Sequence, residues 1–178
     1  MKNTKTKPVV PMAGHDHILG PVDAPFQLVE YGDFQCPFCG EAYEVVKQIQ
    51  ENLGGKLCFA FRNFPLTDMH PYAEHAAEAA EAADAQGRFW EMHDTLFENQ
   101  NALEDEDLAE YAEELGLDAK RLIHDVRGGV HSARIQKDYR SGEENGVSGT
   151  PTFFVNGKLF EGEPTAKELI AALAVPTE

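Results

Sequence analysis

Cys36-Pro37-Phe38-Cys39 stands where one hydrophobic pattern gives way to another, and that junction constrains the fold more than any other feature. Before it, Phe26-Gln27-Leu28-Val29-Glu30-Tyr31 is a compact apolar run that reads as a buried strand. Gly32-Asp33-Phe34-Gln35 then turns the chain. After it, Ala42, Val45, Val46, Ile49 and Leu53 fall at i, i+3, i+4, i+7 and i+11, which places one apolar stripe on a helix that stops at Gly54-Gly55. Leu57 through Phe61 forms a second apolar strand with Cys58 inside it. Strand, helix and strand make a βαβ unit with a right-handed crossover.

A C-x-x-C pair in that position has a specific chemistry. Cys36 falls at the helix N-terminus, where unpaired N–H groups and the helix dipole stabilise a thiolate. The thiolate is the species that attacks disulfides, so Cys36 is the expected nucleophile. Helix geometry brings Cys39 within reach to resolve the mixed disulfide. Pro37 suits the first turn, where its missing N–H has no partner to lose. The other reading of the pair is half a zinc site. Zinc wants four ligands, and neither a second C-x-x-C nor an H-x-x-x-H is present, so no metal is expected. Cys58 lies in a strand among Leu57, Phe59 and Phe61 and is expected to be a buried, inert thiol.

The remainder divides into three stretches. Residues 1–20 are rich in Pro, Gly and Lys and read as a flexible lead-in, in which His15-Asp16-His17 is a solvated pair of histidines or a weak metal site. From Tyr72 to about Arg140 the chain is rich in Ala and Glu and lacks strand signals. Five helices are expected there: around His75–Ala83, Phe89–Phe97, Asp105–Leu115, Ala119–Val126 and His131–Glu144. Phe89, Trp90, His93 and Phe97 read as packing residues of this block. After Gly149, Thr152-Phe153-Phe154-Val155 and Lys158-Leu159-Phe160 form a hairpin about Asn156-Gly157. Thr165 caps a last helix with Glu168 at N3, as in a capping box. Pro151 follows two glycines and precedes a strand. It ends a loop in the trans form, or it makes a sharp cis turn that leaves a neighbouring backbone free to pair with a peptide.

With 15 basic and 31 acidic residues the net charge is −16, which repels phosphate backbones and argues against a nucleic-acid partner. No stretch approaches the length of a membrane span. The basic start, Met1 to Pro11, lacks the apolar region of a secretory signal, so the expected location is the cytoplasm; an exported chain with its leader removed reads the same.

Four blocks in this order resemble DsbA-like thioredoxin-fold proteins: Glu30-Tyr31-Gly32-Asp33-Phe34-Gln35-Cys36-Pro37-Phe38-Cys39, Arg62-Asn63-Phe64-Pro65-Leu66, Gln86-Gly87-Arg88-Phe89-Trp90, and Gly149 through Gly157. The resemblance runs from about residue 18 onward and includes the helical block. It implies an α/β thioredoxin fold with an inserted all-helical subdomain. On that scheme residues 21–66 and 146–178 form the thioredoxin-fold domain, and residues 67–145 form the insertion. It also implies that the Thr150–Pro151 bond is cis and faces the cysteine pair, and that Glu30 lies under the active site. There Glu30 is a desolvated acid relaying a proton to Cys39, unless it sits at an exposed strand end.

The implied activity is thiol–disulfide exchange on protein or peptide substrates, with a redox partner protein completing the cycle. Cys36 and Cys39 are catalytic, Glu30 assists, and Pro37, Phe38, Thr150 and Pro151 contact substrate. No cofactor is implied beyond the redox-active pair itself. DsbA-type oxidants carry His between the cysteines, whereas this chain has Phe38, which offers the thiolate neither charge nor hydrogen bond. The rival functions are a glutathione-dependent transferase or isomerase of related fold, and a non-catalytic peptide-binding module.

Overall fold

The computed structural model describes residues 10–176. Most of the lead-in, residues 1–9, lies outside them. Five strands form one sheet in the order β1-β3-β2-β4-β5. They are β1 (His17–Leu19), β2 (Phe26–Gly32), β3 (Leu57–Asn63), β4 (Thr152–Val155) and β5 (Lys158–Leu159). β2 and β3 pair in parallel, joined by helix α1 (Pro37–Leu53) and a short 3-10 turn at Gly54–Lys56. Every other pairing is antiparallel. Helices α2 (Ala73–Asp84), α3 (Phe89–Glu98), α4 (Asp105–Glu114), α5 (Ala119–Gly128) and α6 (Ser132–Glu144) lie between β3 and β4 in sequence, and α7 (Ala166–Leu173) ends the fold.

Side-chain alternation sorts the sheet into two faces. On one, Leu28 and Phe59, with Phe61 beside them, pack against α1 through Cys39, Ala42, Val46 and Ile49, and against α3 through Met92, Leu96 and Phe97. Glu30 has the same parity as Leu28 and belongs to this face. On the other, Val29, Tyr31, Ala60 and Phe154 pack with Phe64, Val10 and Val147. There the Phe64 and Tyr139 rings stack at 4.2 Å, fastening α6 to the end of β3. The helical block is thus built into the same core as the sheet.

Three local features depart from the sequence reading. The lead-in ends before residue 20, because His17–Leu19 add an edge strand to β3. Of the two histidines in His15-Asp16-His17, His15 is exposed as read, but His17 is buried. His17 stacks on Phe89 at 3.5 Å and meets Glu81 at 2.9 Å, while Asp16 holds buried Arg62 through two bonds of 2.8 Å. A full capping box occurs at Glu104 and Asp107 on α4, where the sequence reading assigns none. At α7 the Thr165 hydroxyl accepts from the Glu168 N–H, as the sequence suggests. The hairpin turn is also as read: Asn156 and Gly157 both have positive φ, 48° and 82°.

Candidate active site

Four peptide segments converge at the N-terminal end of α1. The turn out of β2 is fixed by Asp33, whose Oδ1 accepts from the Gln35 N–H at 2.8 Å. Asp33 Oδ2 accepts from the Leu66 N–H at 2.8 Å and lies 2.7 Å from His70 Nδ1, tying the turn to the segment after β3. Gln35 Oε1 accepts from the Tyr72 N–H at 2.7 Å. Cys36 is the N-cap of α1 and Pro37 its first residue, so the helix begins at the cysteine as the pattern requires. The Cys36 carbonyl accepts from the Cys39 and Gly40 N–H groups at 3.0 and 3.1 Å.

The two thiols are free and differ sharply in environment. Cys36 is 4% exposed and stands next to exposed Pro37 and Phe38, the latter 66% exposed. Its sulfur lies 3.5 Å from the Thr150 carbonyl oxygen. The Thr150–Pro151 bond is cis, and both residues are half-buried. Hydrogen bonds, first from the Cys39 thiol and then from Thr150 and the backbone of Cys39 and Phe38, outweigh burial and lower the Cys36 pKa to about 5. Among the described residues the buried Thr150 hydroxyl meets no partner at full hydrogen-bond geometry.

Cys39 is fully buried, and burial together with its donation to Cys36 pushes its thiol well above the usual range. The Asp33 N–H points at its sulfur from 3.5 Å. Glu30 is 2% exposed, not at an exposed strand end, and its Oε1 has no hydrogen-bond partner among the described residues. Burial foremost, and the Cys36 charge next, raise it to about 8. Cys58 is fully buried in β3, where burial raises its thiol. A reactive, acidic sulfur, a weakly acidic second sulfur and a proton-holding carboxyl therefore share one end of the sheet, while Cys58 stays in the core.

A thioredoxin family profile matches residues 12–174. The chain belongs to the thioredoxin family. Among solved structures, this thioredoxin has the fold of oxidised BdbD from Bacillus subtilis, with TM-score 0.85 and 24% identity over 93% of this chain and 95% of that one. A thioredoxin-like oxidoreductase from Silicibacter pomeroyi DSS-3 gives TM-score 0.79 and 26% identity, covering 90% and 91%. MdbA, a thiol-disulfide oxidoreductase from Corynebacterium diphtheriae, gives TM-score 0.70 and 22% identity, covering 87% and 88%. A curated relative, Na(+)/H(+) antiporter NhaA 1 from Salinispora arenicola, is 48% identical over 161 residues, 89% of this chain but 24% of the relative. The chain thus spans about a quarter of the length of the curated relatives it matches. Among the described residues, no helix is long and apolar enough to cross a membrane.

The candidate site also draws on residues that sequence patterns do not single out. Gln100, in the loop after α3, donates through Nε2 to the Phe34 carbonyl at 2.9 Å and to the Cys36 carbonyl at 2.8 Å. The helical block therefore grips the active-site turn directly. Gly40 makes the grip fit, since a Cβ there would lie 2.2 Å from Gln100 Oε1. The aromatic residues of α3 pack as expected, but not only within the block. His93 and Phe97 contact Phe34 in the active-site turn, Tyr43 in α1 and Phe61 in β3.

Proposed function

We propose that this thioredoxin is a thiol–disulfide oxidoreductase acting on protein or peptide substrates. One arrangement carries the reading: Cys36 caps α1 with its sulfur 3.5 Å from the Thr150 carbonyl oxygen, and Cys39 and Glu30 are buried behind it, an environment that splits the two thiols in acidity by lowering Cys36 and raising Cys39. A metal half-site or a purely structural pair has no need of that split.

The steps follow from it. The Cys36 thiolate attacks one sulfur of a substrate disulfide, the substrate S–S bond breaks, and the other sulfur leaves as a thiolate. Cys39 then attacks Cys36, releasing the second substrate sulfur and closing the Cys36–Cys39 disulfide. Cys39 must lose its proton for this, and Glu30 is the acceptor. Running the steps backward oxidises a substrate. Thr150 and Pro151 form a ledge on which an extended peptide pairs, with the Thr150 carbonyl next to the attacking sulfur. Exposed Pro37 and Phe38 supply apolar contact beside it. The dithiol is its own redox group, and a separate thiol or disulfide partner resets it.

Insulin reduction tests the reading. Cys36→Ser is expected to abolish activity, and Cys39→Ser to trap a mixed disulfide visible by mass spectrometry. Undiminished reduction by Cys36→Ser would overturn the assignment.

A further inference from the structure

Glu30 must shed the proton it takes from Cys39, and among the described residues no hydrogen-bond partner reaches its buried Oε1. His93 Nε2 is buried and also lacks a partner. Both residues line the same small cavity between β2, α1 and α3, whose other walls include Lys47, Gln50, Trp90 and Asp94. It offers the centre of a water molecule about 10 Å³, the space one water needs. Leaving two buried polar atoms unpaired costs about 1–3 kcal/mol each, and a space this size, lined by the two residues that carry them, suits a water.

The His93 tautomer follows from its other nitrogen. Nδ1 lies 2.9 Å from Asp94 Oδ1. Burial would raise Asp94, but hydrogen bonds from His93 and Lys47 outweigh it and keep the carboxylate ionised. Nδ1 therefore donates, and burial lowers the imidazole so that it stays neutral. Nε2 is left as a bare acceptor on a residue that lines the cavity. Lys47 Nζ closes the outer side, 2.6 Å from Asp94 Oδ2, and both of these side chains reach solvent.

We propose that one water, held by His93 Nε2, bridges to Glu30 and carries the proton between Glu30 and the solvent at Lys47 and Asp94. His93 is a positioning residue: it touches neither substrate nor sulfur. Protonated Glu30 donates to the water oxygen while the water passes one of its own protons outward, so the carboxylate is regenerated and the water restored. The charged and titratable groups around the path are Lys47 and Tyr43 on α1, Asp94 on α3, His17 on β1, and Cys36 and Cys39 at the site. This inference rests on the exchange reading and extends it to the helical block.

His93→Phe keeps a ring in the aromatic cage and removes the acceptor. Two rates are measured in stopped flow: formation of the mixed disulfide at Cys36, and its resolution by Cys39. His93→Phe is expected to slow resolution roughly tenfold, below the 10²–10⁴ ascribed to a proton-transfer group itself. Mixed-disulfide formation should be unchanged, and the pH profile of resolution should shift. His93→Gln, which restores a carbonyl acceptor, should recover most of the loss. Equal resolution rates in wild type and His93→Phe overturn the inference and leave the exchange reading standing. Failure of the wild type to form a mixed disulfide overturns both. If His93→Phe does not fold, a high-resolution crystal structure of the wild type decides: water within hydrogen-bond distance of both atoms supports the inference, and a dry cavity overturns it.

Discussion

The acidity of Cys36 yields a number that can be tested before any substrate is known. Its pKa falls from an ordinary 9.0 to about 5. At pH 6 a thiol with a value of 5 is about 90% ionised, against about 0.1% for an ordinary one, a gain of roughly 900-fold in nucleophile. A less basic thiolate is also a poorer nucleophile, and a Brønsted slope of about 0.4–0.5 removes roughly 40- to 100-fold. The net expectation, for equal access, is iodoacetamide alkylation at pH 6 about ten- to twentyfold faster than at an ordinary thiol. The midpoint of the rate against pH should lie near 5. The largest cause is the hydrogen bond from the Cys39 thiol. Cys39→Ala should therefore move the midpoint up, and Cys39→Ser, which keeps a donor, should move it less. A wild-type midpoint near 9, preferential labelling of Cys39, or a midpoint indifferent to Cys39→Ala would refute the reasoning.

Glu30 gives a trade between stability and rate. Its folded-state value of about 8 lies above the ordinary 4.5, so its contribution is fully present below 4.5 and is lost as pH rises through 8; at pH 7 the deficit is about 3 kcal/mol. Glu30→Gln should raise the urea midpoint at pH 7 while slowing Cys39-dependent resolution by 10² or more; a variant no more stable and no slower refutes this. Gly40→Ala should push Gln100 off the Phe34 and Cys36 carbonyls, and the pH midpoint of Cys36 alkylation should broaden or shift while the fold persists by circular dichroism. Asp16→Ala strands the buried Arg62 guanidinium and should cost about 3–5 kcal/mol in chemical denaturation. Because the pairing holds Asp16 below its ordinary value, that stability is present at neutral pH and fades as pH falls through the lowered value, so wild type and variant should converge in acid.

How much of this was legible in the sequence depended on range. The β2–α1–β3 unit, the helical block and the final hairpin each carry their own periodicity or turn residues, and each stands where the pattern places it. β1 was missed because its three residues are too few to show a period. What holds it is pairing with β3 and contacts from Glu81 and Trp90, all remote in sequence. At the site, the cysteine pair announces itself by spacing and context. Burial of Glu30 follows from its place in an apolar strand. Asp33, His70 and Gln100 give no such signal. Their long-range contacts reach across 33 to 66 residues, and a Gln in a polar loop looks like any other. His93 is the sharpest case. Its helical spacing marks it as a packing residue, while the cavity it shares with Glu30, remote in sequence, shows only in the structure.

The sheet's two borders also bear on how such a protein survives its own work. A chain that offers backbone to extended peptides, as proposed above, risks offering it to copies of itself, since an open strand is a template for pairing. Here the outer strands are β1 and β5, of three and two residues. β4, which runs on from the Thr150–Pro151 ledge, is flanked on both sides by β2 and β5. Strand addition to the sheet is confined to borders too short to nucleate a stack, so even at high concentration the folded protein has little means of polymerising through its β-structure.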